Sequence, residues 1–276
     1  MKHPSSKPAL FAHVFLWIGI IYSAFPFFWM LLTSLRASGD AFNTASMFWP
    51  QQWDGINNYA QALSETPLLR FMANGVVVCA GILFLQVATA LPCAYAIAKL
   101  PFRGKTLLTA TIVFCLAIPF QAVALPLFVG LAELQLLNSY FALMVPFFVS
   151  VFAILMLAQF LREYPNEVIE AARLEGLSEA AILWRLILPA SKPAIAAFAI
   201  FSVSYHWNDL YWPLIVVTSP ELAPPTLGVV MFRSDESGDR IGPLMAAATI
   251  VTLPLVIFFL TAQRRFVQGI AMSGVK

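Results

Sequence analysis

Six apolar runs, each long enough to cross a lipid bilayer as a helix, leave this chain few folds to choose from. They cover residues 11–34, 72–98, 107–132, 141–161, 194–217 and 244–262. A spanning helix needs about 20 mostly apolar residues, because lipid offers no partner for an exposed backbone group. Only 11% of the 276 residues are charged, against about 25% in an ordinary soluble domain. The expected fold class is all-α integral membrane, with six transmembrane helices. Lys2 and Lys7 precede the first run, which is longer than the apolar core of a signal peptide and lacks a clear small-residue cleavage site. It reads as a retained span.

The basic residues orient the bundle. An even number of spans puts both termini on one side. That side carries Lys2, Lys7, Lys99, Arg103, Lys105, Arg162, Arg173, Arg185, Lys192, Arg264, Arg265 and Lys276. The opposite side carries Arg36, Arg70, Arg233 and Arg240, which completes the 16 Lys and Arg. Lys and Arg accumulate on the cytoplasmic face, so both termini and the loop between runs four and five are expected in the cytoplasm. A net charge of +2 does not imply nucleic acid. Cys79, Cys93 and Cys115 lie inside apolar runs and read as small buried hydrophobes, not as a disulfide framework.

The cytoplasmic loop is the most structured polar stretch. It reads Glu170-Ala-Ala-Arg-Leu-Glu-Gly176-Leu-Ser178-Glu179, and closes on Leu186-Ile-Leu188-Pro189. Pro165 suits a first helical position, and Glu167 and Glu170 favour the positive end of a helix dipole. Gly176 suits the left-handed residue that ends a helix, and Ser178 suits the cap of a second one with Glu179 just inside. Pro189 is expected to stop that second helix. The expectation is two short helices meeting at Gly176 on the membrane surface.

This stretch resembles the EAA loop of ABC importer permeases: Glu-Ala-Ala, three residues, Gly, nine residues, Ile-x-Leu-Pro. Glu170, Ala171, Ala172, Gly176, Leu188 and Pro189 match at the family spacing, and Leu186 stands where the family usually has Ile. Asn57-Asn58-Tyr59 and Phe71-Met72-Ala73-Asn74 resemble the lead-in to the core of sugar-type permeases. Trp207-Asn208-Asp209-Leu-Tyr-Trp212-Pro-Leu resembles their fifth span. Gln263-Arg-Arg-Phe-Val-Gln-Gly resembles the tail of maltose-type second permeases.

The resemblance implies a type I ABC importer permease fold. It divides the chain into a first transmembrane helix (1–35), an external loop (36–70), a type-1 permease core with five helices and the EAA loop at 165–190 (71–264), and a cytoplasmic tail (265–276). It implies a transport subunit, not an enzyme, with no cofactor of its own; ATP and Mg would sit on partner ATPases. The implied partners are a second permease subunit, two ATPase subunits, an external solute-binding protein and the lipid bilayer of a bacterial inner membrane. Glu170, Ala171, Ala172, Gly176, Leu188 and Pro189 would couple to the ATPases.

The transport path has weaker markers. Polar groups inside a span mark functional sites by default. A continuous helix from Ala194 would carry Asp209 about 22 Å into a core of about 30 Å. Aromatic rings beside polar groups are the chemistry of sugar recognition, so Trp207, Asn208, Asp209 and Trp212 are candidate path residues, with an interfacial aromatic belt as the other reading. Gln121, between Pro119 and Pro126 in the third run, and Gln86 in the second are further candidates; His206 reads as a packing residue. Gly104-Lys105-Thr106 is not a P-loop, because Lys99 stands where its first glycine belongs. No catalytic constellation and no metal-ligand spacing is visible. A secondary transporter with an intramembrane site at Asp209 is the alternative function, although the chain has no internal repeat.

Overall fold

A computed structural model describes residues 7–37, 49–232 and 240–273, with side chains placed within 11–37, 49–230 and 240–262. Lys2, Arg233 and Lys276 lie outside the described residues, as do the side chains of Lys7, Arg264 and Arg265. Helix α1 is Lys7–Ser34, α2 Gly55–Ser64, α3 Leu68–Lys99, α4 Lys105–Cys115, α5 Phe120–Glu133, α6 Tyr140–Met144 and α7 Val151–Arg162. Then come α8 Asn166–Leu174, α9 Glu179–Ile182, α10 Leu188–Ala190, α11 Lys192–Trp207, α12 Tyr211–Val216, α13 Pro225–Phe232 and α14 Ile241–Ser273. The proposed tail at 265–276 is helical as far as Ser273; its side chains are outside the described residues.

Among the described residues, three helices are long and apolar enough to cross a membrane: Phe11–Ser34, Leu68–Lys99 and Ile241–Ala262. Three bent pairs bring the number to six if each pair is one span. The third apolar run, expected as one helix, is Lys105–Cys115 followed by Phe120–Glu133 at 94°. Pro119 begins the second half, with the extended backbone that a proline accepts and a continuing helix does not. The fourth run bends by 48° after Phe147, near Pro146.

The fifth run corrects two expectations. Its helix ends at Trp207, and α12 starts afresh at Tyr211, so Asp209 lies in a break and the depth reckoned along one continuous helix does not apply. Nor does Pro189 stop the preceding helix. The backbone widens into a π-helical turn over Leu183–Ile187, and the Leu188 N–H donates to the Leu183 carbonyl. Pro189 then opens α10 as a first-turn residue, and the turn comes after Ala190, at 71° to α11. A π turn shifts the ladder by one residue, so a proline is accommodated where a regular α-helix would break.

Contacts divide the chain into two units. The first comprises Met1–Leu68 and Val229–Leu253. In it, α1 is open on every face from Phe11, at 82% exposure, to Phe28, as a lipid-facing helix would be, and its last residues Leu32, Thr33 and Ser34 are buried. Its C-terminal end is strapped by Asn58, whose Nδ2 donates to the carbonyls of Ser34 at 2.9 Å and Arg36 at 2.6 Å. Tyr59 Oη meets Ser34 Oγ at 3.1 Å. Gly242 packs on the Asn58 amide; an added Cβ would lie 2.6 Å from Nδ2. The Asn57-Asn58-Tyr59 motif is therefore a clamp on the end of α1.

The second unit comprises Leu69–Gly228 and Pro254–Lys276. Its core joins Leu91 and Ile97 of α3, Leu157 and Leu161 of α7, Ile169 of α8, and Ile182. In the same unit Asn74 is buried; its Nδ2 donates to the carbonyls of Glu221 and Ala223, and its Oδ1 accepts from Tyr140. The described cysteines are all free thiols.

Candidate functional site

Two places in the second unit gather polar residues. The first is the polar loop. Helix α8 begins after Pro165, which is its N-cap in extended conformation, one residue earlier than a first-turn position. Lys99 Nζ anchors that start by donating to the Tyr164 carbonyl at 2.6 Å and to Asn166 Oδ1 at 2.7 Å. Ile169 and Ala172, three apart on one face, are buried in the core. Glu170 and Ala171 face outward, and Leu174 is 90% exposed. The two alanines of the motif thus do different things: Ala172 packs inward, and Ala171 presents a small outer surface.

The bend has a complete Schellman geometry. Gly176 has φ +85°, its N–H donates to the Arg173 carbonyl at 3.0 Å, and the Leu177 N–H donates to the Ala172 carbonyl at 3.1 Å. Ser178 Oγ accepts from the Ala181 N–H at 3.3 Å and caps the second helix. Glu179 closes the loop: its Oε1 accepts from Arg173 Nε at 2.6 Å and its Oε2 from Tyr95 Oη at 2.6 Å. The Arg173 hydrogen bond, then that of Tyr95, holds the Glu179 carboxyl below its ordinary pKa. Tyr95 is buried in α3, so this carboxylate ties the surface loop to a spanning helix. Leu188 is half-buried against the core and Pro189 is exposed.

The second place is a cleft of about 670 Å³ lined by Gln86, Ser202, Tyr205 and His206, with Phe147 and Phe152 among its walls. Ser202 Oγ donates to Gln86 Oε1 at 2.6 Å, and Gln86 Nε2 donates to His206 Nε2 at 3.3 Å. All three polar residues are buried.

Of the residues expected along the path, Gln86 lines this cleft and Gln121, Trp207, Asn208, Asp209 and Trp212 do not. Trp212 is fully buried and its indole N–H donates to the Ala142 carbonyl at 2.9 Å. Trp207 is buried beside Gly75, where an added Cβ would come 3.1 Å from the indole ring. Asn208 is exposed and its Nδ2 donates back to the Ser204 carbonyl at 2.8 Å. Asp209 is half-buried and accepts from the Trp212 N–H at 3.4 Å, at the start of α12. Gln121 is exposed in the first turn of α5. The residues the structure does bring together, Gln86, Ser202 and His206, are separated by more than a hundred positions between the first and the others. The signal available for them was a glutamine and a histidine inside apolar runs.

Comparison with known proteins agrees with this architecture. The chain is 29% identical over 256 residues to the arabinooligosaccharides transport system permease protein AraQ of Halalkalibacterium halodurans, covering 92% of this chain and 91% of that protein. It is 27% identical over 270 residues to the sn-glycerol-3-phosphate transport system permease protein UgpE of Yersinia pestis, covering 96% of each. The crystal structure of a bacterial ABC transporter involved in the import of the acidic polysaccharide alginate contains a chain with the same fold, at TM-score 0.82 and 20% identity over 96% of this chain and 100% of that one. The fold is accordingly that of a type I ABC importer permease, a multi-pass membrane protein. Residues 86–272 match the family described as binding-protein-dependent transport system inner membrane component, and the chain belongs to that family.

Proposed function

We propose that this chain is the permease subunit of an ATP-driven importer of a sugar or sugar-like solute. It forms half of the translocation pathway beside a second permease subunit. Two ATPase subunits dock on its cytoplasmic loop, and an external binding protein delivers the solute. ATP and Mg are held by the ATPases, and this chain supplies motion, not chemistry. Both termini lie in the cytoplasm of a bacterial cell, on the side rich in Lys and Arg. The names of the curated relatives support the solute class.

One observation carries the coupling role: the loop has an inner face locked to the bundle and an outer face left open. Ile169, Ala172, Ile182 and Ile187 are buried with α3 and α7, while Glu170, Ala171 and Leu174 face away. The Gly176 bend makes the two short helices one rigid piece. A push on the outer face is therefore delivered to the core, and through Glu179 and Tyr95 to α3. Coupling of this kind is a free energy shared by the ATPase site and the solute path.

The test is co-purification. A tagged chain co-expressed with its partner permease and ATPase should retain the ATPase on affinity resin. Leu174→Asp puts a charge on a side chain 90% exposed, so it should release the ATPase without lowering the amount of permease in the membrane. ATPase retention at wild-type yield by this variant would refute docking on this face.

A further inference from the structure

Within the second unit, two broken spans and one buried histidine converge on the same space. The break between α4 and α5 brings Leu116 and Ile118 to the cleft, and the break before α7 brings Val149 and Ser150. Non-helical backbone at membrane depth is stable only where protein buries it or where it lines a cavity that supplies its hydrogen bonds. One freed carbonyl is accounted for: Phe148 O accepts from Thr89 Oγ at 2.9 Å. The cleft volume of about 670 Å³ falls in the range of small-molecule sites.

The polar chain inside it sets the state of the histidine. Gln86 Oε1 is used by the Ser202 hydroxyl, so the Gln86 amide nitrogen is the group that meets His206 Nε2 and donates to it. A neutral imidazole that accepts at Nε2 carries its proton at Nδ1. His206 is 7% exposed, and its Nδ1 is buried with no hydrogen-bond partner. Buried donors in proteins are rarely left so. Phe147 at 4.6 Å and Tyr205 at 5.0 Å between ring centroids flank the imidazole.

We propose that this cleft is a solute-binding site of the permease, specific for a neutral carbohydrate unit, in which His206 Nδ1–H donates to a sugar hydroxyl. The proposal rests on the reading of the chain as a sugar-type importer subunit and narrows it. Aromatic walls suit the C–H faces of a pyranose or furanose ring. Every polar side chain lining the cleft among the described residues (Gln86, Ser150, Ser202, Tyr205, His206) is uncharged, and no Lys or Arg is there to neutralise a phosphate or a carboxylate. Charged solutes entering such a site would be left unpaired at high cost. The site therefore selects neutral sugars against anionic ones such as glycerol 3-phosphate.

The test uses the whole transporter, with partner permease, ATPases and binding protein, and measures uptake of arabinotriose, maltotriose and glycerol 3-phosphate. The wild type should take up a neutral oligosaccharide. His206→Phe keeps a ring against Phe147 and removes the donor, and should raise the apparent KM about tenfold, the size of one hydrogen bond left unmade in a dry site. His206→Asn restores an N–H near the Nδ1 position and should recover most of the loss. An apparent KM for His206→Phe within twofold of wild type overturns the site. Equal loss in both variants, with less permease in the membrane, makes His206 a packing residue and also overturns it. Wild-type uptake of glycerol 3-phosphate alone overturns the neutral class and leaves the importer reading standing. Uptake of none of the three probes counts against both.

Discussion

Replacing Gly176 isolates backbone conformation from everything else in the coupling loop. Its φ is +85°, and a Cβ built there would meet nothing within 4 Å. A substitution therefore brings no clash, and its cost is conformational alone. For an L-residue the left-handed region costs about 1–2 kcal/mol, little for Asn, and more for a β-branched side chain, up to about 3 kcal/mol. Each 1.4 kcal/mol is a factor of ten in an equilibrium. Gly176→Ala should thus shift the ratio of bent to opened loop about tenfold, Gly176→Val by a hundredfold or so, and Gly176→Asn hardly at all. Opening the bend forfeits the Gly176–Arg173 and Leu177–Ala172 hydrogen bonds, so the local signature is faster hydrogen exchange at the Leu177 amide. The spanning helices satisfy their own backbone and should stay inserted. Uptake and ATPase retention should fall in the order Asn, Ala, Val at constant membrane abundance. If Asn were as damaging as Val, the outer surface rather than the positive φ would be what matters. If Val transported normally with ATPases attached, the bend would not be the coupling element.

Reporter fusions after Lys276 and within residues 178–181 should both read cytoplasmic; an external reading at either place removes the six-span topology. Asp209→Leu removes the acceptor for the Trp212 N–H, at about 1 kcal/mol, and should speed hydrogen exchange at the start of α12, while Asp209→Asn should retain most of the protection; an unchanged exchange rate in the leucine variant would show that this contact carries no weight. The Glu179–Arg173 pair is part-exposed, 46% and 37%, and stabilises the loop by under about 1 kcal/mol. Because the folded Glu179 pKa is depressed, this contribution is complete above the ordinary carboxylate range and is lost as pH falls through the lower folded value. Loop hydrogen exchange, corrected for intrinsic rates, should be flat from pH 8 to pH 6 and rise only below about pH 4.3; a rise near pH 7 would contradict it.

How much of this was legible in the chain depends on what each residue's role requires. Gly176 and Ser178 act on their immediate neighbours, one through a positive φ and the other through a cap two or three residues long, so the letters alone placed both correctly. The apolar runs were likewise found, because lipid imposes a composition on every residue of a span. Their breaks were not. A hydropathy window sums composition and has no term for direction, so a 94° turn between Cys115 and Phe120 leaves the total unchanged. A stop was expected at Pro189, where the helix runs on through Ala190, while the break came before Phe120, with Pro119 as its cap. The difference lies in the preceding turn. Before Pro189 the chain widens through Leu183–Ile187, with Ile182, Leu183 and Ile187 held in the core, and the proline is carried in the turn that follows.

The polar cleft was harder still, for a reason that lies in how polar atoms are satisfied inside a span. Trp207, Asn208, Asp209 and Trp212 form the densest polar-aromatic cluster in the apolar sequence, yet three of the four spend their polar groups within the fold: Asn208 on Ser204, Asp209 on Trp212, Trp212 on Ala142. Local satisfaction is the cheapest way to carry polar atoms into a membrane, so density in sequence favours structure over recognition. Gln86 and His206 look isolated in sequence, and they can be satisfied only by a partner on another helix. The geometry gives Gln86 two such partners, Ser202 and His206, gives His206 one, and leaves the Nδ1 of His206 over. In a spanning protein the informative polar residue is therefore the one whose neighbours in sequence cannot use it. By that measure His206, two residues before the Asn208-Asp209 pair, is the polar group in this chain with the most left to offer a solute.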